Sequence, residues 1–275
     1  MKTILFPTDF SDTANNALEF AVSICKAGKA SIQLFHVYGP PVIDPQMPPG
    51  MAAELMTDME NTSNEQLKML SNALKAEGIA VKFESIPGFV ASEIVEKADS
   101  IKADMIVMGT TGAAGLIGKL MGSNASTVVQ ESHCPVMLIP SDAEYRSFDH
   151  IAYASQFEAD DLPALTDLLI IAKLFNSRID IVKINTTQQI QPDIFADEPQ
   201  IQRIIEEFGK DQFQFISHDD VSVIAGLDHY LTAQNTDLLV MTTRRRTFFE
   251  KILEPSVTRK MVLHSHLPML IFHQH

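Results

Sequence analysis

Five of the chain's 12 glycines stand in one stretch, Gly109-Thr-Thr-Gly112-Ala-Ala-Gly115-Leu-Ile-Gly118-Lys-Leu-Met-Gly122-Ser123-Asn124, directly behind the apolar run Asp104-Met-Ile-Val-Met108. A buried strand that breaks into glycines can turn backbone N–H groups outward with no Cβ in the way, and a helix starting at Ser123 adds the positive end of its dipole. The chemistry served by such an arrangement is the holding of phosphate oxygens. Two other glycine motifs are excluded by spacing. A Walker A loop needs Gly-x4-Gly-Lys followed by Ser or Thr, but the glycine required before Gly118-Lys119 is Ala113 and the next residue is Leu120. The pattern Gly-x-Gly-x-x-Gly occurs nowhere, and the stretch follows a late strand rather than the first.

The spacing Gly-x2-Gly-x9-Gly-Ser resembles the ATP-binding motif of the universal stress proteins, with Gly109, Gly112, Gly122 and Ser123 on its four positions. The resemblance implies an adenine nucleotide as ligand, ATP with Mg2+ recruited by its phosphates. Gly109, Gly112 and Gly122 would admit phosphate oxygens to main-chain N–H groups, Ser123 would donate its hydroxyl, and Asn124 would add a polar contact. Pro7-Thr8-Asp9-Phe10-Ser11 resembles the family segment after strand 1, whose aspartate lies at the nucleoside end. Asp9 either accepts from adenine or ribose, or bonds the N–H groups of the following helix as a turn residue. Val37, at the end of strand 2 with Tyr38, resembles the position whose backbone meets the adenine ring. The candidate binding residues are therefore Pro7, Thr8, Asp9, Val37, Met108, Gly109, Gly112, Gly122, Ser123 and Asn124. Lys119 reads equally as a terminal-phosphate contact or a solvated loop lysine.

Catalysis finds less support. No metal-binding acid and water-positioning base stand near Gly122-Ser123 in sequence, and no Ser-His-Asp or Cys-His arrangement emerges from spacing. Family members include slow ATPases and proteins that only hold ATP, so the resemblance implies a nucleotide-responsive stress regulator. The alternatives are a slow ATPase and a ligand-free interaction scaffold. His264, His266, His273 and His275 invite a metal, but no acid or cysteine lies close in sequence, and no metal site is assigned. Arg244-Arg-Arg246 reads as a solvated or interface patch, with a side-chain anion site as the alternative.

The elements that must position these residues alternate strand with helix. Strands are expected at 3–8, 31–37, 81–86, 104–108 and 136–139. Helices are expected at 12–25, with Ser11 or Asp12 as cap, from about Met51 to Lys75, at 91–100 and at 123–131. The pattern gives a doubly wound, five-stranded parallel sheet of Rossmann-like α/β type, with ligands outside the carboxyl ends of strands 1 and 4. The Pro/Met-rich loop from Gly39 to Met51 reads as a lid or as a cover for exposed core.

The whole pattern occurs twice. At an offset of 147, Ile4-Leu-Phe-Pro-Thr-Asp9-Phe10 lies on Ile151-Ala-Tyr-Ala-Ser-Gln156-Phe157; at 133, Ala103–Met108 lies on Thr236–Met241 and His133-Cys-Pro135 on His266-Leu-Pro268. A repeat of this length is a domain rather than a solenoid unit. We expect residues 1–143 to carry the motif and residues 144–275 to be a degenerate copy. There Gly109 becomes Thr242, Gly112 becomes Arg245 and Gly122 becomes Pro255, with only Ser256 kept in place. One nucleotide site per chain follows. Single-domain relatives pair through their last strands, so the apolar runs Val136–Ile139 and Met269–Phe272 suit an antiparallel edge seam. That makes an intramolecular pseudo-dimer, with a homodimer of the chain as a further option.

Composition agrees with a globular pair of domains. The 275 residues are 45% hydrophobic and 20% charged, with a net charge of -14, divided as Lys+Arg 9 against Asp+Glu 15 in residues 1–140 and 12 against 20 in the remainder. An acidic surface argues against nucleic acid or anionic membrane as partner, leaving adenine nucleotide and protein clients. Met1 leads at once into a strand, with no leader and no spanning apolar run, so a cytoplasmic location is expected. Cys25 and Cys134 read as packed residues rather than redox groups.

Overall fold

The computed structural model describes residues 1–39, 48, 50–110, 122–155, 161–186, 199–243 and 266–273. Gly112, Lys119, Gln156, Arg244 to Arg246, Pro255, Ser256, His264, His275 and most of the Gly39 to Met51 loop lie outside the described residues. The chain divides into two compact units, with the break after Ser141.

In the first unit, β1 (Thr3–Pro7) leads to α1 (Asp12–Gly28), β2 (Ser31–Tyr38), α2 (Met51–Ala76), β3 (Ala80–Pro87), α3 (Val90–Ile101), β4 (Met105–Gly109), α4 (Ser123–Glu131) and β5 (Val136–Ile139). The strands lie in the order β3-β2-β1-β4-β5, all parallel, as the alternating pattern predicts. Ala17, Leu18, Phe20, Ala21 and Ile24 form the buried stripe of α1, joined by Ala14 and Cys25. Ser11 is the helix cap: its hydroxyl accepts the N–H of Ala14 at 3.2 Å. The helix ends at Lys29, which takes a left-handed φ of 52°. Every residue of β5 is buried, in keeping with a parallel sheet covered on its faces.

The second unit repeats the plan. Here β6 (His150–Ala154), α5 (Asp161–Phe175), β7 (Arg178–Thr186), α6 (Pro199–Phe208), β8 (Phe213–Asp220), α7 (Val223–Ala233), β9 (Leu238–Thr243) and β10 (Met269–His273) form a parallel sheet ordered β8-β7-β6-β9-β10. Both units pin their first strand in the same way. The Asp104 carboxylate accepts the N–H groups of Lys2 and Thr3 at 2.7 and 2.8 Å, and Asp237 accepts that of His150 at 2.9 Å.

The second unit adds a buried polar network at the amino ends of its strands. Asp180 is fully buried and accepts from Arg178 at 2.7 and 3.1 Å, from His150 at 2.7 Å and from the Tyr230 hydroxyl. Burial by itself would raise the Asp180 carboxyl, but these bonds outweigh it and hold the group down at about 2. Cys25 is buried, which pushes its thiol up to about 12; Cys134 is half-buried and is raised chiefly for the same reason. Neither has the electropositive surroundings of a reactive thiol. Among the described residues, no helix is long and apolar enough to cross a membrane.

Candidate functional site

The candidate residues of the first unit collect at the carboxyl ends of β1, β2 and β4. Because β1 pairs with β4, with Ile4 beside Met105, the segment Thr8-Asp9 leaves the sheet next to Gly109-Thr110. Pro7 and Met108 are buried strand residues, and Thr8, just past the end of β1, is buried as well. Thr8 is fixed from three sides. Its N–H donates to Phe35 O at 2.9 Å, its hydroxyl accepts Phe10 N–H at 3.0 Å, and its carbonyl accepts from His36 Nδ1 at 2.7 Å.

Asp9 is exposed, and its Oδ1 accepts both the N–H (3.1 Å) and the hydroxyl (2.6 Å) of Ser11. The turn role of the two weighed for Asp9 is therefore present in the structure. The turn also forces Phe10 to φ 62°, a region that costs a non-glycine residue about 1–2 kcal/mol. The Phe10 ring lies 4.6 Å from that of His36, which in turn stacks 6.5 Å from Tyr38. The Tyr38 hydroxyl is raised by its burial, then by Glu60, and stays neutral. The aromatic row Phe10-His36-Tyr38 escapes sequence reasoning, since Phe10 stands outside β2 and is brought to His36 by the turn after β1.

Val37 is placed by parity. In β2 the Phe35 carbonyl turns toward β1, accepting from Thr8, and the Tyr38 carbonyl turns toward β3, accepting from Gly88 at 3.1 Å. Odd residues of β2 thus face β1. The β1 ladder ends at Pro7 beside Phe35, so the N–H and C=O of Val37 point into the space beyond β1.

The glycines do different work from one another. Gly109 sits in regular strand, paired with Ile139, and its need for glycine comes from α1: a Cβ would lie 2.7 Å from Thr13 Cγ2 and 3.2 Å from Thr13 O. Gly122 has φ -69° and ψ 159°, which any residue adopts. Neither glycine has the positive φ that a glycine-rich cradle suggests. Gly122 N–H donates to Thr110 O at 2.6 Å, and Thr110 N–H donates to Ile139 O at 3.0 Å, so the end of β4 is clasped to the start of α4. Gly122 has no side chain with which to cap α4. The N–H groups of Ser123, Asn124 and Ala125 form the first turn, and the side chains of Ser123 and Asn124 are exposed beside it. No acidic residue stands in that turn. An anion therefore fits the site physically, held by helix N–H groups and two polar side chains.

Of the counterpart positions of Gly109, Gly112 and Gly122 in the second unit, that of Gly109 lies among the described residues. Thr242 stands at the Gly109 position in β9, opposite Phe272. His266 Nδ1 lies 3.4 Å from the carbonyl and 3.9 Å from the carboxylate of Asp142, an exposed contact that sequence proximity did not signal.

Comparison with known proteins places this geometry in context. The model of the universal stress protein family matches residues 1–140 and again 148–273. Universal stress protein MJ0531 of Methanocaldococcus jannaschii is 37% identical over 140 residues, covering 50% of this chain and 81% of that protein. Universal stress protein MJ0577 of the same organism is 30% identical over 152 residues, covering 50% and 94%. The crystal structure of a universal stress protein from Archaeoglobus fulgidus covers 99% of this chain and 98% of its own, with a TM-score of 0.77 at 19% identity, a likeness of fold. With one family model matching both halves and one strand order repeated in each, the chain belongs to the universal stress protein family.

Proposed function

We propose that the first unit binds one adenine nucleotide, ATP with Mg2+ held through its phosphates, and that occupancy makes the chain a nucleotide-responsive regulator. The carrying observation is the helix N-terminus that Gly122 leaves without a side-chain cap, set beside the end of β4. In this reading the first-turn N–H groups of α4, with Ser123 and Asn124, receive the phosphates. Main-chain groups of Val37 meet the adenine edge, and Thr8 and Asp9 border the nucleoside. The magnesium ion would neutralise phosphate charge, with water and phosphate oxygens as its ligands. Residues 1–143 form the binding domain in this reading, and residues 144–275 a copy without the motif.

Acid-quenched nucleotide analysis of the purified chain, followed by ATP and Mg2+ titration, tests the proposal. Gly122→Val is the informative variant, because its backbone angles suit valine and its N–H remains on Thr110. The expected result is adenine nucleotide bound to wild type and lost in the variant, with the nucleotide-free melting temperature unchanged. Saturable binding retained in Gly122→Val, or none in wild type, would overturn the reading. The ratio of bound ATP to ADP reports any hydrolysis.

A further inference from the structure

Three metal-competent side chains meet in the second unit where β8 runs into α7. His218 and Asp220 alternate on β8 and leave the strand on one side, and His229 arrives from α7. Asp220 Oδ2 lies 2.7 Å from His229 Nδ1 and 3.8 Å from His218 Nε2, and the three ligand atoms fall within 4.8 Å of one another. Among the described residues this is the one group of its kind.

The cluster is anchored at its acid. Asp220 Oδ1 accepts the Val221 N–H at 2.6 Å, which aims Oδ2 at the two imidazoles. The Asp220 side chain is 9% exposed, against 36% for His218 and 65% for His229. The helix is seated close behind it: a Cβ on Gly226 would lie 2.5 Å from Ile184 Cγ2 and 3.0 Å from Asp220 Cβ. The Tyr230 ring meets that of His218 edge-on at 6.4 Å. Such outer contacts orient ligands. A tetrahedral ion with bonds of about 2.0–2.1 Å spaces its ligand atoms about 3.3 Å apart. The separations of 2.7 and 3.8 Å straddle that value, and rotation of the half-buried His218 and exposed His229 imidazoles about the fixed carboxylate adjusts the set toward it.

We propose that His218 Nε2, Asp220 Oδ2 and His229 Nδ1 form a three-ligand site for a divalent transition-metal ion of the zinc class, with solvent completing the coordination. Two imidazoles and one carboxylate suit such ions, whereas Mg2+ and Ca2+ take oxygen shells. The ion would replace the proton that now joins His229 to Asp220 and would tie the end of β8 to α7. The site is independent of the nucleotide reading and gives the second copy a ligand of its own.

The test uses the full chain, stripped with chelator and titrated with Zn2+ by calorimetry and with Co2+ by visible absorption. Wild type should bind a single ion and give ligand-field bands. His218→Ala and His229→Ala should each weaken binding by at least about tenfold, and the double variant should lose the bands. His266→Ala, at the exposed pair with Asp142, should match wild type. His229→Gln, on an exposed helix position, reports the same ligand should His218→Ala disturb the metal-free fold. Zn2+ affinity equal in wild type and double variant, loss on His266→Ala instead, saturation by Mg2+ alone, or no Zn2+ binding by wild type would each overturn the proposal.

Discussion

Replacing Gly109 by alanine tests whether the glycine serves helix packing. The added methyl would sit 2.7 Å from Thr13 Cγ2, 3.2 Å from Thr13 O and 3.3 Å from its carbonyl carbon. Carbon atoms in contact prefer about 3.5–4.0 Å, so all three approaches are too close. Thr13 stands in the first turn of α1, where a β-branched side chain has little rotational freedom. The carbonyl can withdraw only if the helix shifts. Overpacking of this kind costs about 1–3 kcal/mol, offset in part by the lower unfolded-state entropy of alanine, about 0.4–1 kcal/mol. A net loss of about 1–2 kcal/mol corresponds to a fall of about 3–10 °C in the melting temperature of a unit this size. Urea unfolding of the nucleotide-free chain by circular dichroism measures it. Thr13→Ser removes the nearest methyl, so the double variant Gly109→Ala/Thr13→Ser should recover about 1 kcal/mol over additivity. An unfolding midpoint for Gly109→Ala equal to wild type, or strict additivity, would refute the packing argument.

Other perturbations follow from the same structure. Asp180→Asn leaves Arg178, His150 and Tyr230 facing a neutral group and should cost about 3–5 kcal/mol in denaturant unfolding of the second unit. Because its folded value of about 2 lies below the ordinary 3.8, Asp180 contributes about 2 kcal/mol that is fully present above pH 4 and lost as pH falls toward 2. Acid titration of stability should show that loss in wild type and not in Asp180→Asn. Ser11→Ala removes both the α1 cap and the hydroxyl bond to Asp9, leaving the Ser11 N–H bond, and should destabilise by about 1 kcal/mol, read by thermal melting. Cys25, raised to about 12 by burial, should resist alkylation in the folded chain and react only on unfolding, as mass spectrometry of the labelled peptide can follow.

Much of the architecture is legible in the sequence because the signals are local. The stripe Ala17, Leu18, Phe20, Ala21 and Ile24 defines α1, and the apolar run at Val136 defines β5, with no help from distant residues. The site is legible only in part. Spacing finds Gly109 and Gly122 but not their reasons, since the first depends on Thr13 across the α1–β4 packing and the second on the Thr110 carbonyl. Asp9 is open to two roles in sequence because one carboxylate can serve a turn or a ligand; the folded turn shows the Ser11 bonds. The His218-Asp220-His229 group stayed hidden for a related reason. Alternation predicts that His218 and Asp220 share a side of a strand, but the path of α7 brings His229 to them.

The bond from Gly122 N–H to Thr110 O has a bearing on protein engineering. It joins Thr110 to Gly122, the described residues on either side of 111–121, while β4 and α4 are held by their own neighbours. Extending a chain between gathered ends is inexpensive, since each doubling of its length adds only about 0.6 kcal/mol of closure entropy. That position is therefore a natural graft point, at which an inserted reporter domain would read events at the start of α4 without altering the register of the sheet.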